Sequence, residues 1–221
     1  MKRMFLTRLA LSVVAALIVM APVAVGNGTV VLEDNFAGMP NAVPDGWEPT
    51  MDGDATVFLR SMPELEPPTG AQVVELVDES FIISPMLERD LGRPVSQGHF
   101  EFVVYNAPDN PGEIYGEVRA SGAGTVIDCH ISAGRILKCR NAGSLYEVVK
   151  DVQHGKWHTV RIEWDATTWT YKVYLNGEDV TPESGLRFTQ EAIPTAVRFK
   201  LGSGPKVGQR AFIDSVSVVA Y

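Results

Sequence analysis

The stretch GKWHTVRIEWDATTWTYKVYLNG, residues 155–177, decides the fold class of this 221-residue chain. In its first half the apolar residues Val160, Ile162 and Trp164 alternate with polar residues. Successive side chains of a β-strand point to opposite faces, so a period of two predicts a strand with one buried face. We therefore expect a half-buried strand at this position.

The second half of the stretch predicts the partner of that strand. Tyr171, Val173 and Leu175 repeat the alternation after a short polar break at residues 165–168. Asn176-Gly177 supplies two residues that accept positive φ angles, as a type I′ turn requires. The stretch thus predicts two antiparallel strands, followed at once by a third.

Similar short segments cover the chain from residue 27 onward, separated by Gly, Pro, Asn and Asp. Such segments, spaced by roughly 8–12 residues, are typical of β-sandwiches and barrels. Only residues 85–91 and 189–193 suit a helical turn, and the absence of any long helical period excludes an α/β fold. The predicted class is all-β, with strands at 30–36, 55–60, 71–77, 80–84, 98–105, 113–120, 124–131, 135–140, 145–150, 157–164, 169–175, 195–201 and 211–219.

The same stretch resembles a known family. G-x-W-H-x-V-x-I-x-W-D followed by Y-x-V-Y-L-N-G is similar to the penultimate hairpin of laminin G-like domains, which belong to the concanavalin A-like lectin/glucanase superfamily. Residues 32–36 with 44–47 resemble the opening strand of that family, and residues 212–218 resemble its closing strand. The resemblance implies a jelly-roll sandwich of two antiparallel sheets. It does not specify function, because this fold hosts lectins, hydrolases, lyases and adhesion modules.

Residues 1–26 have the features of a secretory signal peptide. Basic residues are followed by an apolar run over 9–25, and small residues precede Asn27. These features predict cleavage before Asn27, which leaves one secreted or periplasmic jelly-roll domain, residues 27–221. The alternative is an uncleaved membrane anchor, since the apolar run is just long enough to span a bilayer. No later stretch is long enough, so no membrane span is expected after cleavage.

The charge of the chain limits its partners. The formal net charge is −8, and the predicted leader contains basic residues but no acidic ones, so the mature domain is more acidic still. This balance argues against nucleic acid or an anionic membrane surface as a partner. A local basic patch could nevertheless bind an anionic polysaccharide.

The only two cysteines, Cys129 and Cys139, flank a short hairpin. A register centred on Gly134 places them opposite one another, with Ile131 opposite Leu137. Facing residues of an antiparallel pair are close enough for a disulfide, which secretion would favour. The alternatives are two buried thiols in a register shifted by one residue, or a metal pair, which lacks the further ligands that zinc needs.

Polar side chains occupy the face opposite the apolar one on several predicted strands. If these strands share one sheet, carboxylates, cations and tyrosines line one face of it. The family resemblance implies that sugars bind on such a concave face. The alternative is an ordinary solvated face with weak cross-strand ion pairs. The candidate carbohydrate-binding residues are His99, Glu101, Tyr105, Tyr115, Glu117, Arg119, Asp128, His130 and Arg161.

Two kinds of enzyme are alternatives to a binding module. A retaining glycoside hydrolase needs two carboxylates about 5–5.5 Å apart, and the E-x-D-x-x-E signature of glucanases is absent. Residues 115–119, 128–130 and 199–202 are similar in outline to the R-x-E-L-R, Q-I-H and F-K-x-G strands of jelly-roll alginate lyases. They depart from that pattern because Tyr115 replaces Arg, Asp128 replaces Gln, and no Tyr follows the third strand. Asp128 would also repel a uronate carboxylate.

The resemblance further implies a structural calcium ion between the first and last strands. Glu33 or Asp34, together with Asp214, would supply the hard oxygen ligands that Ca²⁺ prefers. The alternative is that Asp214 caps a bulge or pairs with Arg210.

We predict an extracytoplasmic carbohydrate-binding or adhesion-type module without catalytic activity, whose partner is a glycan or a cell-envelope component. A polysaccharide lyase, then a hydrolase, is the enzyme alternative, and a structural or interaction protein is the third class. A lectin needs exposed aromatic residues, a lyase needs a Tyr or His base beside an Arg, and an interaction protein needs an apolar patch.

Overall fold

The computed structural model describes residues 28–70, 72–80, 82–202 and 208–221, so the predicted signal peptide lies outside the described residues. Sixteen strands and one 3₁₀ turn, Pro63–Leu65, follow one another along them. No helix in this part of the chain is long and apolar enough to cross a membrane. The strands are β1 Thr29–Asp34, β2 Glu48–Thr50, β3 Ala55–Ser61, β4 Gln72–Asp78, β5 Met86–Asp90, β6 Gln97–Asn106, β7 Ile114–Ala120, β8 Gly124–Ile131, β9 Ile136–Asn141, β10 Ser144–Lys150, β11 Trp157–Asp165, β12 Thr170–Leu175, β13 Glu178–Asp179, β14 Leu186–Arg187, β15 Ala196–Leu201 and β16 Gln209–Ala220.

The strands form two antiparallel sheets that pack face to face. Sheet 1 has the order β13-β12-β11-β6-β16-β4-β3, with β1 also paired to β16 and β14 to β12. Sheet 2 has the order β10-β9-β8-β7-β15-β5-β2. The predicted all-β jelly-roll sandwich of two antiparallel sheets is confirmed.

The hairpin that decided the fold class lies in sheet 1, in the register that the alternation predicts. Val160 faces Leu175, and Trp164 faces Tyr171. Asn176 and Gly177 have φ angles of 52° and 84°, and β13 follows them directly as the predicted third strand. The apolar side chains of β11 are buried, because this face of sheet 1 covers the core.

Aromatic rings join the two sheets at the centre of the core. Phe100 and Phe102 of β6 contact Phe199 of β15, with ring centroids 5.5 and 5.3 Å apart. Gly116 of β7 lies directly beneath the ring of Phe102, where any Cβ atom would overlap that ring. The missing side chain at Gly116 therefore lets the two sheets approach closely at this point.

The predicted cross-strand disulfide is confirmed. Cys129 of β8 faces Cys139 of β9, their Cα atoms are 4.1 Å apart, and the two sulfur atoms are bonded. Ile131 faces Leu137 in the same register, as the hairpin centred on Gly134 predicted.

Some of the predicted elements are wrong. The segment 80–84 was predicted as a strand and 85–91 as a helical turn, but the strand is β5, Met86–Asp90. Pairing of β5 with β15 and β2 overrides its local preference. Residues 189–193 contain bends rather than a helical turn. Strands β2 and β14 were not predicted, because strands of two or three residues show no periodicity.

Candidate functional site

The nine predicted sugar-binding residues do not share one face, which corrects the expectation of a single sheet. They divide between the outer faces of the two sheets, on opposite sides of the molecule. Each residue does point away from the core as its strand's alternation predicted. The outer face of sheet 1 carries His99, Glu101, Tyr105 and Arg161, whereas that of sheet 2 carries Tyr115, Glu117, Arg119, Asp128 and His130.

On sheet 2 the strand order β15-β7-β8 aligns polar residues in two lateral rows. In one row Glu117 lies between Arg198 and Asp128. In the next row Tyr115 lies between Lys200 and His130. The sheet topology thus brings carboxylates, cations and a Tyr–His pair together on one surface.

Glu117 is the centre of an ion-pair network that reaches three strands. Its carboxylate accepts hydrogen bonds from Nε of Arg198 at 2.6 Å and from the hydroxyl of Thr125 at 3.2 Å. Arg119 lies beside it and contacts Glu88 of β5 at 3.1 Å. Because Glu117 is buried, these partners compensate a carboxylate that would otherwise be costly to remove from water.

Asp128 is held in a second group of charges. Nε of Arg140 donates to its carboxylate at 2.9 Å, and Nδ1 of His130 lies 3.4 Å from it. Arg140 also donates to the carbonyl of Gly143 at 3.1 Å, which fixes the guanidinium against the β9–β10 turn.

Tyr115 and His130 stack on one another beside this group. Their ring centroids are 4.3 Å apart, and the Tyr115 hydroxyl donates to Glu113 at 2.7 Å. The ammonium of Lys200 lies 5.4 Å from the centre of the Tyr115 ring. Both rings are buried, so neither offers a large exposed surface for stacking.

A cleft of about 360 Å³ lies between these groups, and we refer to it as the cleft. The hydroxyl of Thr189, in the loop after β14, is buried in its wall and has no hydrogen-bond partner among the described residues. A buried polar atom without a hydrogen-bond partner destabilises the folded protein unless a ligand or water supplies the hydrogen bond. The cleft is lined by Tyr115, Glu117, Thr125, Asp128, Arg140, Thr189 and Lys200.

The outer face of sheet 1 has a different organisation. Nδ1 of His99 lies 2.7 Å from the hydroxyl of Tyr221, and Arg161 donates to the same hydroxyl at 2.8 Å. Burial, together with the Arg161 charge, lowers the pKa of His99 to about 4, so its ring is neutral at physiological pH. Glu101 faces Arg161 across the strand pair, while Tyr105 packs against Trp157.

The predicted calcium ligands are not assembled as a set. Asp34 accepts hydrogen bonds from the backbone of Phe36 and the indole of Trp47, whereas Glu33 pairs with Ser217 of β16. Within the described residues no three His, Cys, Asp or Glu side chains come close enough to hold a metal ion.

Asp214 differs from the other two predicted ligands. It lies at an irregularity of β16, is fully buried, and accepts hydrogen bonds from the backbone and hydroxyl of Thr69. Its observed partners are therefore neutral, and calcium binding stays a prediction that rests on this one carboxylate.

Sequence reasoning missed several residues that line the cleft or pair with its carboxylates. Arg198 and Lys200 alternate with the core residues Val197 and Phe199, and this signal was available in the sequence. Thr189 lies in a loop, where no periodicity reports the direction of a side chain. Thr125 and Arg140 belong to strands whose neighbouring residues were predicted correctly.

Comparisons with known proteins show the fold. No protein-family model matches the chain, and a search of curated proteins found no match. A sialidase matches 78% of this chain with a TM-score of 0.65 and 14% identity, but this chain spans only 17% of the sialidase. The cellulose induced protein Cip1 gives a TM-score of 0.63 and 11% identity, over 85% of this chain and 96% of that protein.

The laminarinase catalytic domain from Thermotoga maritima MSB8 is also similar, with a TM-score of 0.54 and 13% identity over 89% of this chain and 99% of that domain. At such low sequence identity these similarities support the fold assignment but not any activity. The laminin G-like assignment stays a prediction. The chain is a two-sheet jelly roll, and these structural likenesses support that fold.

Proposed function

We propose that this protein is a non-catalytic glycan-binding module and that the cleft on sheet 2 is its binding site. The observation that carries the proposal is the unpartnered Thr189 hydroxyl, which is buried in a cleft whose other walls are carboxylates, cations and two further hydroxyl groups. Sugars present many hydroxyl groups, and charged side chains form the stronger hydrogen bonds with them. The jelly-roll neighbours named above include glycan-active proteins, which agrees with this choice.

The charge of the cleft favours a neutral glycan. Glu117 is compensated by Arg198, and Asp128 is compensated by Arg140. Lys200 lies on the cleft wall beside the Tyr115 ring, and the nearby carboxylate of Asp78 offsets its charge. A neutral sugar can donate to the two carboxylates and accept from Lys200 without displacing an existing ion pair.

The same pairing argues against hydrolysis. Glu117 and Asp128 are cross-strand partners, which is the arrangement in which two carboxylates could flank a glycosidic bond. A glycosidase needs one of them to carry a proton and to reach the leaving oxygen. Here both carboxylates are held by guanidinium groups instead.

Binding measurements on the full chain test this proposal. We expect neutral oligosaccharides to bind weakly, because shallow sugar sites gain little net free energy after desolvation. Removal of the ammonium in Lys200→Ala, or of the hydroxyl in Thr189→Val, should reduce the affinity measured by calorimetry. Lys156→Ala, which changes an exposed lysine away from the cleft, is the matched control. Unchanged affinity in both cleft variants would contradict the proposal.

A polysaccharide lyase is the second candidate, and one observation favours it. The three segments that resemble lyase strands do lie in neighbouring strands, β15, β7 and β8, and point to the same face. Tyr115 and His130 are stacked there, so a proton-transfer group is present beside cations. Asp128 opposes this function, because its carboxylate lies where a uronate would need a neutral or cationic partner.

The proposal also places the protein outside the cytoplasm. Its support is the disulfide between Cys129 and Cys139, which forms and persists in oxidising compartments. Intact-mass analysis of protein from the native host should find a chain that begins at or near Asn27. A chain that retains residues 1–26 would contradict this part of the proposal.

A further inference from the structure

A second cavity, of about 720 Å³, lies on the outer face of sheet 1, on the other side of the sandwich from the cleft. We call it the trough. Its floor consists of outward-pointing side chains from three neighbouring strands. Gln97, Asp165 and Thr170 form one row across β6, β11 and β12, and Glu163 faces Lys172 in the next row. The floor therefore offers amide, carboxylate, hydroxyl and ammonium groups side by side.

One wall of the trough is the ring of Tyr221. Its backbone N–H donates to the carbonyl of Gln97 at 3.0 Å. Its hydroxyl is held by both Arg161 and His99, at 2.8 and 2.7 Å. The side chain is nevertheless 47% exposed, so the ring is fixed in place while it remains open to solvent.

The opposite wall is the loop that follows β13. The N–H of Val180 donates to the carbonyl of Val173 at 3.0 Å, and that of Gly185 donates to the carbonyl of Pro182 at 2.8 Å. These bonds hold Pro182 at the edge of the trough. The trough thus has an apolar ring on each side and a polar floor between them.

Three of the four carboxylates that line the trough have observed partners, and the fourth, Glu183, is exposed. Glu163 pairs with Arg161 at 2.9 Å, and Asp165 accepts hydrogen bonds from Thr167 at 2.6 and 2.7 Å. Asp179 accepts a hydrogen bond from the backbone of Thr181 at 3.0 Å. The hydrogen-bond partners of Asp165 and Asp179 are neutral, but within the described residues no three acidic side chains come close enough to hold a metal ion. Their oxygens can still accept bonds from hydroxyl groups.

We propose that the trough is a second saccharide site, which binds a neutral sugar with the apolar face of a pyranose ring against Tyr221. Its volume lies within the range of roughly 300–1,000 Å³ that small-molecule sites have. A sugar ring has an apolar C–H face and a rim of hydroxyl groups, which matches one exposed aromatic ring above a floor of acceptors and donors. His99 and Arg161 position Tyr221 and do not contact the sugar.

The test is a nuclear magnetic resonance titration of the full chain with cellobiose, maltose and lactose at millimolar concentrations. At least one of these sugars should shift the amide signals of Gln97, Asp165 and Thr170 in a saturable manner. Tyr221→Ala should raise the dissociation constant by about tenfold or more. Tyr221→Phe keeps the aromatic ring, so this variant should lose less affinity for the sugar. Tyr146→Ala removes another exposed tyrosine, on β10, and should bind as the unchanged protein does.

Four results would overturn the proposal. None of the three sugars shifts the amides of the trough, or Tyr221→Ala binds as tightly as the unchanged protein. A third such result is that spermine, a polycation, shifts these amide signals and the sugars do not, which would make the trough a cation site. Shifts confined to Thr125 and Thr189 would assign the sugar to the cleft alone and would also contradict a second site.

Discussion

Glu117 and Asp128 face one another across the β7–β8 pair, and each carboxylate is held by a different arginine. This pairing is the reason why the proposed function is binding without hydrolysis. It also means that the floor of the cleft depends on buried charges, whose loss should be measurable as a loss of stability.

Glu117→Gln should lower the free energy of unfolding by about 2 kcal/mol, because Arg198 would lose its nearest charged partner in a buried setting. Urea denaturation measures this change. The matched control is Glu147→Gln, since Glu147 is exposed and lies 4.0 and 3.7 Å from Lys138 and Lys150. That variant should lose no more than about 0.5 kcal/mol. Equal losses in the two variants would contradict the buried-network account.

Gly116→Ala should destabilise the fold by about 1–3 kcal/mol, because the added Cβ atom would overlap the ring of Phe102. Gly53→Ala is the control, since nothing lies within 4 Å of a Cβ atom placed there. It should leave the melting temperature unchanged or slightly higher. If the Gly116→Ala and Gly53→Ala variants have the same melting temperature, the inference that the two sheets approach closely at Gly116 is wrong.

The sequence was enough to predict which face of each strand is buried, but not which of the two sheets the strand joins. Alternation in β6 correctly placed His99 and Glu101 away from the core, and alternation in β7 did the same for Tyr115 and Glu117. Both sheets bury one face in the same core, so the two patterns look identical. Sheet membership depends on long-range pairing, which local alternation does not report.

The hairpins were easier to predict because their registers are local. Gly134 fixed the pairing of Cys129 with Cys139, and Asn176-Gly177 fixed the turn before β13. Thr189 could not be predicted, since its position follows from the path of a loop over sheet 2.

His99 should make stability depend on pH. Its folded-state pKa of about 4 lies below its ordinary value of 6.5, mainly because of burial and also because of Arg161. The unfolded chain therefore takes up more protons within this window, so stability is retained above pH 6.5 and is lost as the pH falls towards 4. Denaturation curves should show a smaller loss for His99→Gln than for the unchanged protein. Identical pH profiles would exclude this role for His99.

Calcium should raise the melting temperature if Asp214 binds it, because a ligand that binds only the folded state stabilises that state. The reason to expect binding is that this fully buried carboxylate has Thr69, a neutral residue, as its observed partner. Asp214→Ala should remove the gain. Equal melting temperatures of the unchanged protein in calcium and in chelator would dismiss the site.

The measurement that tests the central claim most directly is the mass of a glycan before and after prolonged incubation with the full chain. Mass spectrometry of neutral β-glucan and uronate oligosaccharides should show unchanged masses, because the cleft is expected to bind sugars without cutting them. Shortened products with unsaturated ends, formed by the unchanged protein and absent with His130→Ala, would contradict the account and identify a lyase.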